Sequence, residues 1–170
     1  MTTGMRKMTK HDLEKVLVWR NHRDVRRFMF SRHEISPEEH QAWFEKASQA
    51  ADRYLLVFEH DGLARGFVNL AVSAGRIAEW GFYTDPLAPK GTGMTLGNEL
   101  LSYAFGELKM HKIVGQVLAY NERSRKLHLR LGFQQEGILR LHHFDGENFY
   151  DIYSYGFLAC EWPKNQGATR

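Results

Sequence analysis

The 170-residue sequence predicts an α/β domain: one central, mixed but mostly antiparallel sheet flanked by helices. Three observations lead there. Two helix-forming segments are followed by three strands separated by the turn signals Asp61-Gly62 and Ala74-Gly75. The rest of the chain alternates helix, strand and helix, then closes with a strand pair around Asp145-Gly146. The composition, 43% hydrophobic and 25% charged, suits one domain with a core of its own, and no repeat or linker divides it.

The elements follow in order. Thr9 is placed to cap a first helix with Asp12 at its third position, and Met8 and Leu13 form a hydrophobic staple. Leu13, Val16 and Leu17 continue at helical spacing to Trp19-Arg20-Asn21. Ser36-Pro37-Glu38-Glu39 opens a second helix, with a capping serine, a proline at the first position and two acids where the helix dipole favours them. Strands are expected at 54–59, 66–73 and 77–84. A loop rich in proline and glycine spans 85–92, and Leu96, Leu100, Leu101, Ala104, Phe105 and Leu108 then mark the clearest helix. A strand at 113–119, a helix at 121–131 ended by Gly132, and strands at about 133–143 and 149–158 complete the chain.

Composition excludes several classes of protein. One cysteine, Cys160, allows no intramolecular disulfide and no cysteine-based zinc cluster, and no histidine pair has ligand spacing with a third ligand nearby, so no metal is expected. No apolar run approaches the roughly 20 residues of a membrane span, and Met1 to Met8 is polar and basic rather than signal-like. A soluble, cytoplasmic protein without a membrane partner is expected. The net charge of +3 is too small to argue for nucleic acid but suits a phosphorylated small ligand.

Two segments could carry chemistry. Lys90-Gly91-Thr92-Gly93, with Met94 after it, lies between a strand and the long helix, where glycines expose backbone amides beside a positive helix end. That is the composition of a pyrophosphate cradle; it is also that of a plain strand-to-helix turn. It is neither a Walker loop nor a dinucleotide fingerprint, since Leu96 stands where the third glycine would be. The second segment runs from Asn121 through Ser124 and His128 to Leu131-Gly132-Phe133, with Asn121, Ser124 and His128 on one helical face.

Together these segments, in this order and separation, resemble the GNAT N-acetyltransferase superfamily over about residues 5 to 162. The resemblance implies the GNAT fold, one N-acetyltransferase domain over 1–170, and acetyl-CoA as cosubstrate, its pyrophosphate on the glycine loop and its thiol arm under the Asn121–Ser124 helix. A narrower set of segments resembles the acetyltransferases of pseudaminic acid biosynthesis: Trp19-Arg20-Asn21, Glu38-Glu39-His40, Trp80-Gly81-Phe82-Tyr83, Glu136-Gly137-Ile138-Leu139-Arg140 and Tyr150-Asp151. That implies acetylation of the 4-amino group of UDP-4-amino-4,6-dideoxy-N-acetyl-β-L-altrosamine. The alternatives are a ribosomal-protein N-terminal alanine acetyltransferase, which shares two of those segments, and a non-catalytic coenzyme A-binding module. A homodimer is compatible with each of these readings.

The resemblance also assigns roles. Phe82 and Tyr83 lie on the strand whose backbone N–H serves the oxyanion, and Glu79 on the same strand is the candidate base. His128 stands where the superfamily often has a tyrosine acid, and its ordinary pKa near roughly 6.5 suits proton donation. Arg20, His40 and Tyr83 are assigned to the nucleotide, with His142 in the same cleft. Ala88 replaces the Gln or Arg that often opens the pyrophosphate loop, which leaves that contact to backbone amides.

Overall fold

The computed structural model describes residues 1–163. Seven strands form one sheet in the order β1-β2-β3-β4-β5-β7-β6. These are β1 (Thr3–Lys7), β2 (Arg53–His60), β3 (Leu63–Ser73), β4 (Ile77–Thr84), β5 (Lys112–Leu118), β6 (Gln134–Phe144) and β7 (Phe149–Leu158). All neighbouring pairs are antiparallel except β4 and β5, the mixed sheet the sequence predicts. The helices are α1 (Leu13–Asn21), α2 (Arg23–Arg26), α3 (Pro37–Ala47), α4 (Thr92–Ser102) and α5 (Glu122–Leu131).

The expected capping chemistry is present. The Thr9 amide donates to the Asp12 carboxylate at 2.8 Å, and Ser36 Oγ accepts from the Glu39 amide at 3.1 Å. Gly132 ends α5 at φ 104°, a left-handed conformation that glycine adopts freely. Sequence periodicity missed two elements. β1 is five residues without alternation, and it forms because it pairs with β2 from Thr3↔His60 to Lys7↔Leu56. Arg6 fixes it there, bonding both Asp12 and Glu59. The four-residue α2 is too short to carry a periodic signal. The long helix is also interrupted: α4 stops at Ser102 and a π-helical turn covers Tyr103–Glu107.

The sheet separates two apolar layers. On one face α4 and α5 bury Leu96, Leu100 and Leu131 against Leu56, Val68 and Ile113. On the other, α1 and α3 bury Val16, Trp19 and Phe44 against Val57 and Phe67. Each fully buried aliphatic side chain contributes about 1.5–3 kcal/mol, so these layers hold the sheet in place.

What matters for the site is where β4 and β5 part. Their parallel pairing covers only Ile77↔Lys112, Ala78↔Ile113 and Glu79↔Val114. Past Glu79 the strands diverge, and β4 keeps a partner only in β3. The amide of Asp85 donates to Arg65 O. That sets the antiparallel phase, so odd-numbered β4 residues bond β3. Trp80, Phe82 and Thr84 therefore aim their backbone groups into the gap.

A close contact beneath α4 gives a test of this packing. A Cβ at Gly66 would lie 2.3 Å from Leu96 Cδ1 and 3.3 Å from Tyr83 O, and Leu96 is fully buried. Gly66→Ala is expected to cost about 1–3 kcal/mol by overpacking. In a domain of this size that lowers Tm by about 2–4 °C per kcal/mol. Calorimetry showing an unchanged Tm would disprove the contact.

Candidate active site

A cavity of about 650 Å³ opens at the β4–β5 gap. Its floor is Phe82 and Tyr83 of β4. One wall is the start of α4, with Gly91, Gly93 and Met94, and the opposite wall is Asn121 and Ser124 of α5. The loop signals sought in the sequence explain this shape. Gly91 caps α4 at φ 93°, and a Cβ built there meets nothing within 4 Å, so open space lies over the loop. The amides of Thr92, Met94 and Thr95 turn back onto Pro89 O and Gly91 O. Those of Gly91 and Gly93 make no such bond among the described residues and remain available at a positive helix end. Asn121 Oδ1 caps α5 by accepting from the Ser124 amide at 3.2 Å.

Two loop residues do not join the lining. Thr92 is buried and donates its hydroxyl to Pro89 O at 2.7 Å, because the first turn of α4 faces the sheet there. Lys90 is exposed and lies outside the cavity wall. The cationic side chains at the rim are instead Arg123, Lys126 and Arg130 of α5. Their spacing of three and four residues on a helix is the sequence signal that would have revealed them. Asp24 and Phe28 close the cavity from α2 and the turn after it, and only tertiary packing brings them there.

A second hollow, about 230 Å³, lies between α1, α3 and the sheet. Arg20, His40 and Tyr83 all line it, together with Trp43, Phe67 and Glu39. Tyr83 is among the lining residues of both hollows. Arg20 is 8% exposed; its Nη2 donates to Ser31 O at 2.6 Å, while Nη1 has no hydrogen-bond partner among the described residues. His40 stacks on Trp43 with ring centres 5.2 Å apart and donates from Nε2 to Leu13 O. Burial pushes its pKa below the ordinary value, only partly opposed by that carbonyl. Burial also raises the Tyr83 phenol, which keeps its proton.

His142 is not part of either hollow. It is exposed on β6, and its neighbour His143 points inward, edge-on to Phe30 at 5.6 Å. The cause is the register shift of β6 between Leu139 and His143, where Leu141 takes φ 47°. Glu79 is exposed and makes no ion pair or side-chain hydrogen bond among the described residues. By alternation it shares its strand face with Gly81 and Tyr83, but it lines neither hollow.

His128 departs furthest from expectation. It is 2% exposed. Its Nδ1–H donates to Ser124 O at 2.8 Å, and Nε2 accepts from the Trp80 indole N–H at 3.1 Å. Both nitrogens are engaged, and the ring is fixed as one neutral tautomer. Burial pushes its pKa down to about 4, outweighing the Ser124 carbonyl that favours the charged form. The expected role as proton donor does not fit this geometry: the single N–H is committed to a helix carbonyl, and the surrounding rings of Phe82, Phe133 and Tyr155 exclude water.

Comparison with known proteins adds to the geometry. A family model described as an acetyltransferase (GNAT) domain matches residues 3–134. The acetyltransferase PseH of Campylobacter jejuni subsp. jejuni serotype O:23/36 (strain 81-176) is 31% identical over 122 residues, 71% of this chain and 76% of that protein. A putative ribosomal N-acetyltransferase of Bacillus subtilis (strain 168), YdaF, is 29% identical over 106 residues, 61% of this chain and 58% of that protein. Among solved structures, spermidine N-acetyltransferase from Vibrio cholerae in complex with CoA and spermine superposes with a TM-score of 0.85 at 26% identity, covering 94% of this chain and 96% of that one.

The state of His128 can be tested by titration. Its folded pKa lies near 4 and its unfolded value near 6.5. Above pH 6.5 neither state binds a proton there. As pH falls from 6.5 towards 4 the unfolded chain takes one up and the native one does not, so stability is lost across that window. The loss is about 3 kcal/mol at the acid end. In NMR the His128 ring signals are expected to stay constant from pH 8 to 5.5; a midpoint near 6.5 would show a solvent-accessible imidazole instead.

Proposed function

The chain belongs to the GNAT acetyltransferases and is an acetyl-CoA-dependent N-acetyltransferase, and from that premise we propose that its acceptor is the 4-amino group of a UDP-linked amino sugar. UDP-4-amino-4,6-dideoxy-N-acetyl-β-L-altrosamine is the acceptor that the resemblance to pseudaminic acid acetyltransferases implies, and the similarity to PseH supports it; the reaction would then belong to cytoplasmic pseudaminic acid synthesis. The observation that carries this reading is the buried Arg20 guanidinium in a hollow that shares Tyr83 with the main cavity. A fixed cation beside an acceptor path suits a diphosphate, which the guanidinium fork binds through two parallel hydrogen bonds. It disfavours a polyamine such as the spermine of the Vibrio enzyme, and a neutral peptide backbone gives it nothing to neutralise.

The wide cavity fits the cosubstrate. Open space over Gly91, the amides of Gly91 and Gly93 and the cations of α5 would hold a pyrophosphate. Asn121 and Ser124 would flank the thiol arm. Bound acetyl-CoA supplies an acetyl thioester, which the acceptor amine attacks directly. The Phe82 N–H, aimed into the gap, is the oxyanion donor. Glu79 lines neither hollow, so as the base it would take the acceptor proton through water rather than by direct contact; its carboxylate is exposed and has no ion pair among the described residues. Because the only N–H of the neutral His128 ring is bonded to Ser124, the leaving thiolate takes its proton from solvent.

Product mass analysis with acetyl-CoA and a panel of UDP-amino sugars and peptides tests the acceptor. Acetylated UDP-amino sugar is expected; acetylation of peptides alone would promote the ribosomal-type reading. Titration of UDP into protein saturated with coenzyme A gives a second measurement. Loss of the Arg20 contact costs about 1.5–3 kcal/mol, so Arg20→Ala should bind UDP roughly tenfold to a hundredfold more weakly, and the acceptor KM should rise with the cofactor KM unchanged. Absence of UDP binding to the wild type at millimolar concentration rules the nucleotide out.

Gly91→Val tests the cofactor loop. A branched side chain at φ 93° is strained and fills the open space over the loop. Coenzyme A affinity should fall at least tenfold with the fold retained. Equal affinity in calorimetry would move the pyrophosphate elsewhere.

A further inference from the structure

The Trp80–His128 hydrogen bond occupies a particular place in the fold. The last parallel pair of the β4–β5 ladder is Glu79↔Val114, so Trp80 and Gly115 are the first residues of the two strands past the point of divergence. A Cβ built on Gly115 would lie 2.4 Å from His128 Nε2 and 2.8 Å from Trp80 Nε1. The donor and the acceptor thus both sit directly over the α-carbon of Gly115, at the root of the gap. His128 reaches this point from α5, and Trp80 from β4.

The pair is held on every side. The Trp80 ring stacks on Phe82 at 4.2 Å and on Phe133 at 5.6 Å, with planes 6° apart in the latter. His128 stacks on Tyr155 at 5.0 Å and meets Phe133 edge-on at 5.0 Å. Phe82, at the end of this stack, is part of the cavity floor. An apolar pair here could slide or collapse at little cost. A buried indole N–H with one acceptor cannot, because separating the two leaves both polar groups without a partner.

We propose that the Trp80–His128 hydrogen bond is a strut that fixes β4 to α5 over Gly115 of β5, and so sets the gap, and the Phe82 backbone beside it, at the spacing coenzyme A requires. His128 is on this reading a positioning residue, acting through Trp80 and Phe82 as a neutral acceptor. Gly115 is the matching requirement on β5, since any side chain there would displace both rings. The inference rests on the coenzyme A reading of the wide cavity and is independent of the acceptor.

The test is calorimetric binding of coenzyme A alone to the full chain and its variants. Trp80→Phe and His128→Phe each keep an aromatic ring, smaller in the first and larger in the second, and remove the hydrogen bond; each should weaken coenzyme A at least tenfold while circular dichroism stays native. His128→Gln retains a side-chain acceptor for the indole and should bind within about threefold of wild type. Gly115→Ala retains both side chains but displaces them, and should lose affinity as the phenylalanine variants do. UDP binding, governed by the Arg20 hollow, serves as a control that none of the four should move, whichever acceptor the enzyme uses. If the phenylalanine variants melt earlier yet bind coenzyme A as the wild type does, the pair is packing alone and the proposal is overturned. Where a phenylalanine variant does not fold, His128→Gln and Gly115→Ala decide: equal loss in both, or loss in neither, also overturns it. In the wild type, nitrogen NMR should show His128 Nε2 unprotonated and the Trp80 indole proton protected from exchange; a protonated Nε2 contradicts the strut.

Discussion

The structure depends on a ladder that stops early. Three parallel pairs join β4 to β5, and then the strands separate. Backbone amides and carbonyls are costly to leave unpaired in a buried setting, so an opening in the middle of a sheet needs both support and a use for the freed groups. The support comes from α4 and α5, which pack across one face and bury Leu96, Leu100, Leu101 and Leu131. The use is the cavity itself, into which the backbone of Trp80, Phe82 and Thr84 is directed. The helix ends around that opening face it as well, so free N–H groups, the positive end of α4 and the cations of α5 converge on one volume.

The two hollows differ in how they obtain their charge. The wide cavity has backbone amides and solvated cationic side chains at its rim and, among the described residues, buries no permanent charge. The small hollow buries an arginine and surrounds it with aromatic rings. A buried guanidinium with one free nitrogen is costly in isolation, and Arg20 retains only the Ser31 carbonyl among the described residues. Such an arrangement is consistent with a site whose anionic partner arrives with the substrate. Tyr83 lines both hollows, and burial keeps its phenol neutral.

His128 shows how burial redirects a residue's chemistry. A histidine with an ordinary pKa would be a plausible acid at neutral pH. Enclosed by four aromatic rings and bonded at both nitrogens, it has neither a charge to give nor a proton free to move. Its hydrogen bonds make it part of the framework.

Much of this was legible in the chain itself, because much of it is local. Capping at Thr9 and Ser36, the turn at Asp145-Gly146, the left-handed Gly91 and Gly132, and the periodicity of α4 are set within a few residues of each other. The order of elements then limits the fold to a mixed sheet, and the glycine loop and Asn121 helix mark the cofactor side. The hollow lined by Arg20, His40 and Tyr83 was legible only through resemblance, since these residues are brought together by packing across distant segments. Sequence alone could not reveal β1, whose five residues become a strand only when β2 lies beside them. It could not show that a bulge in β6 turns His143 inward and His142 out, or that Trp80, 48 residues away in the chain, would hydrogen-bond the Nε2 of His128. The amino-acid sequence determined the elements and their caps because those depend on near neighbours; burial, hydrogen-bond partners and protonation are properties of contacts between remote residues, and the tertiary structure alone decides them.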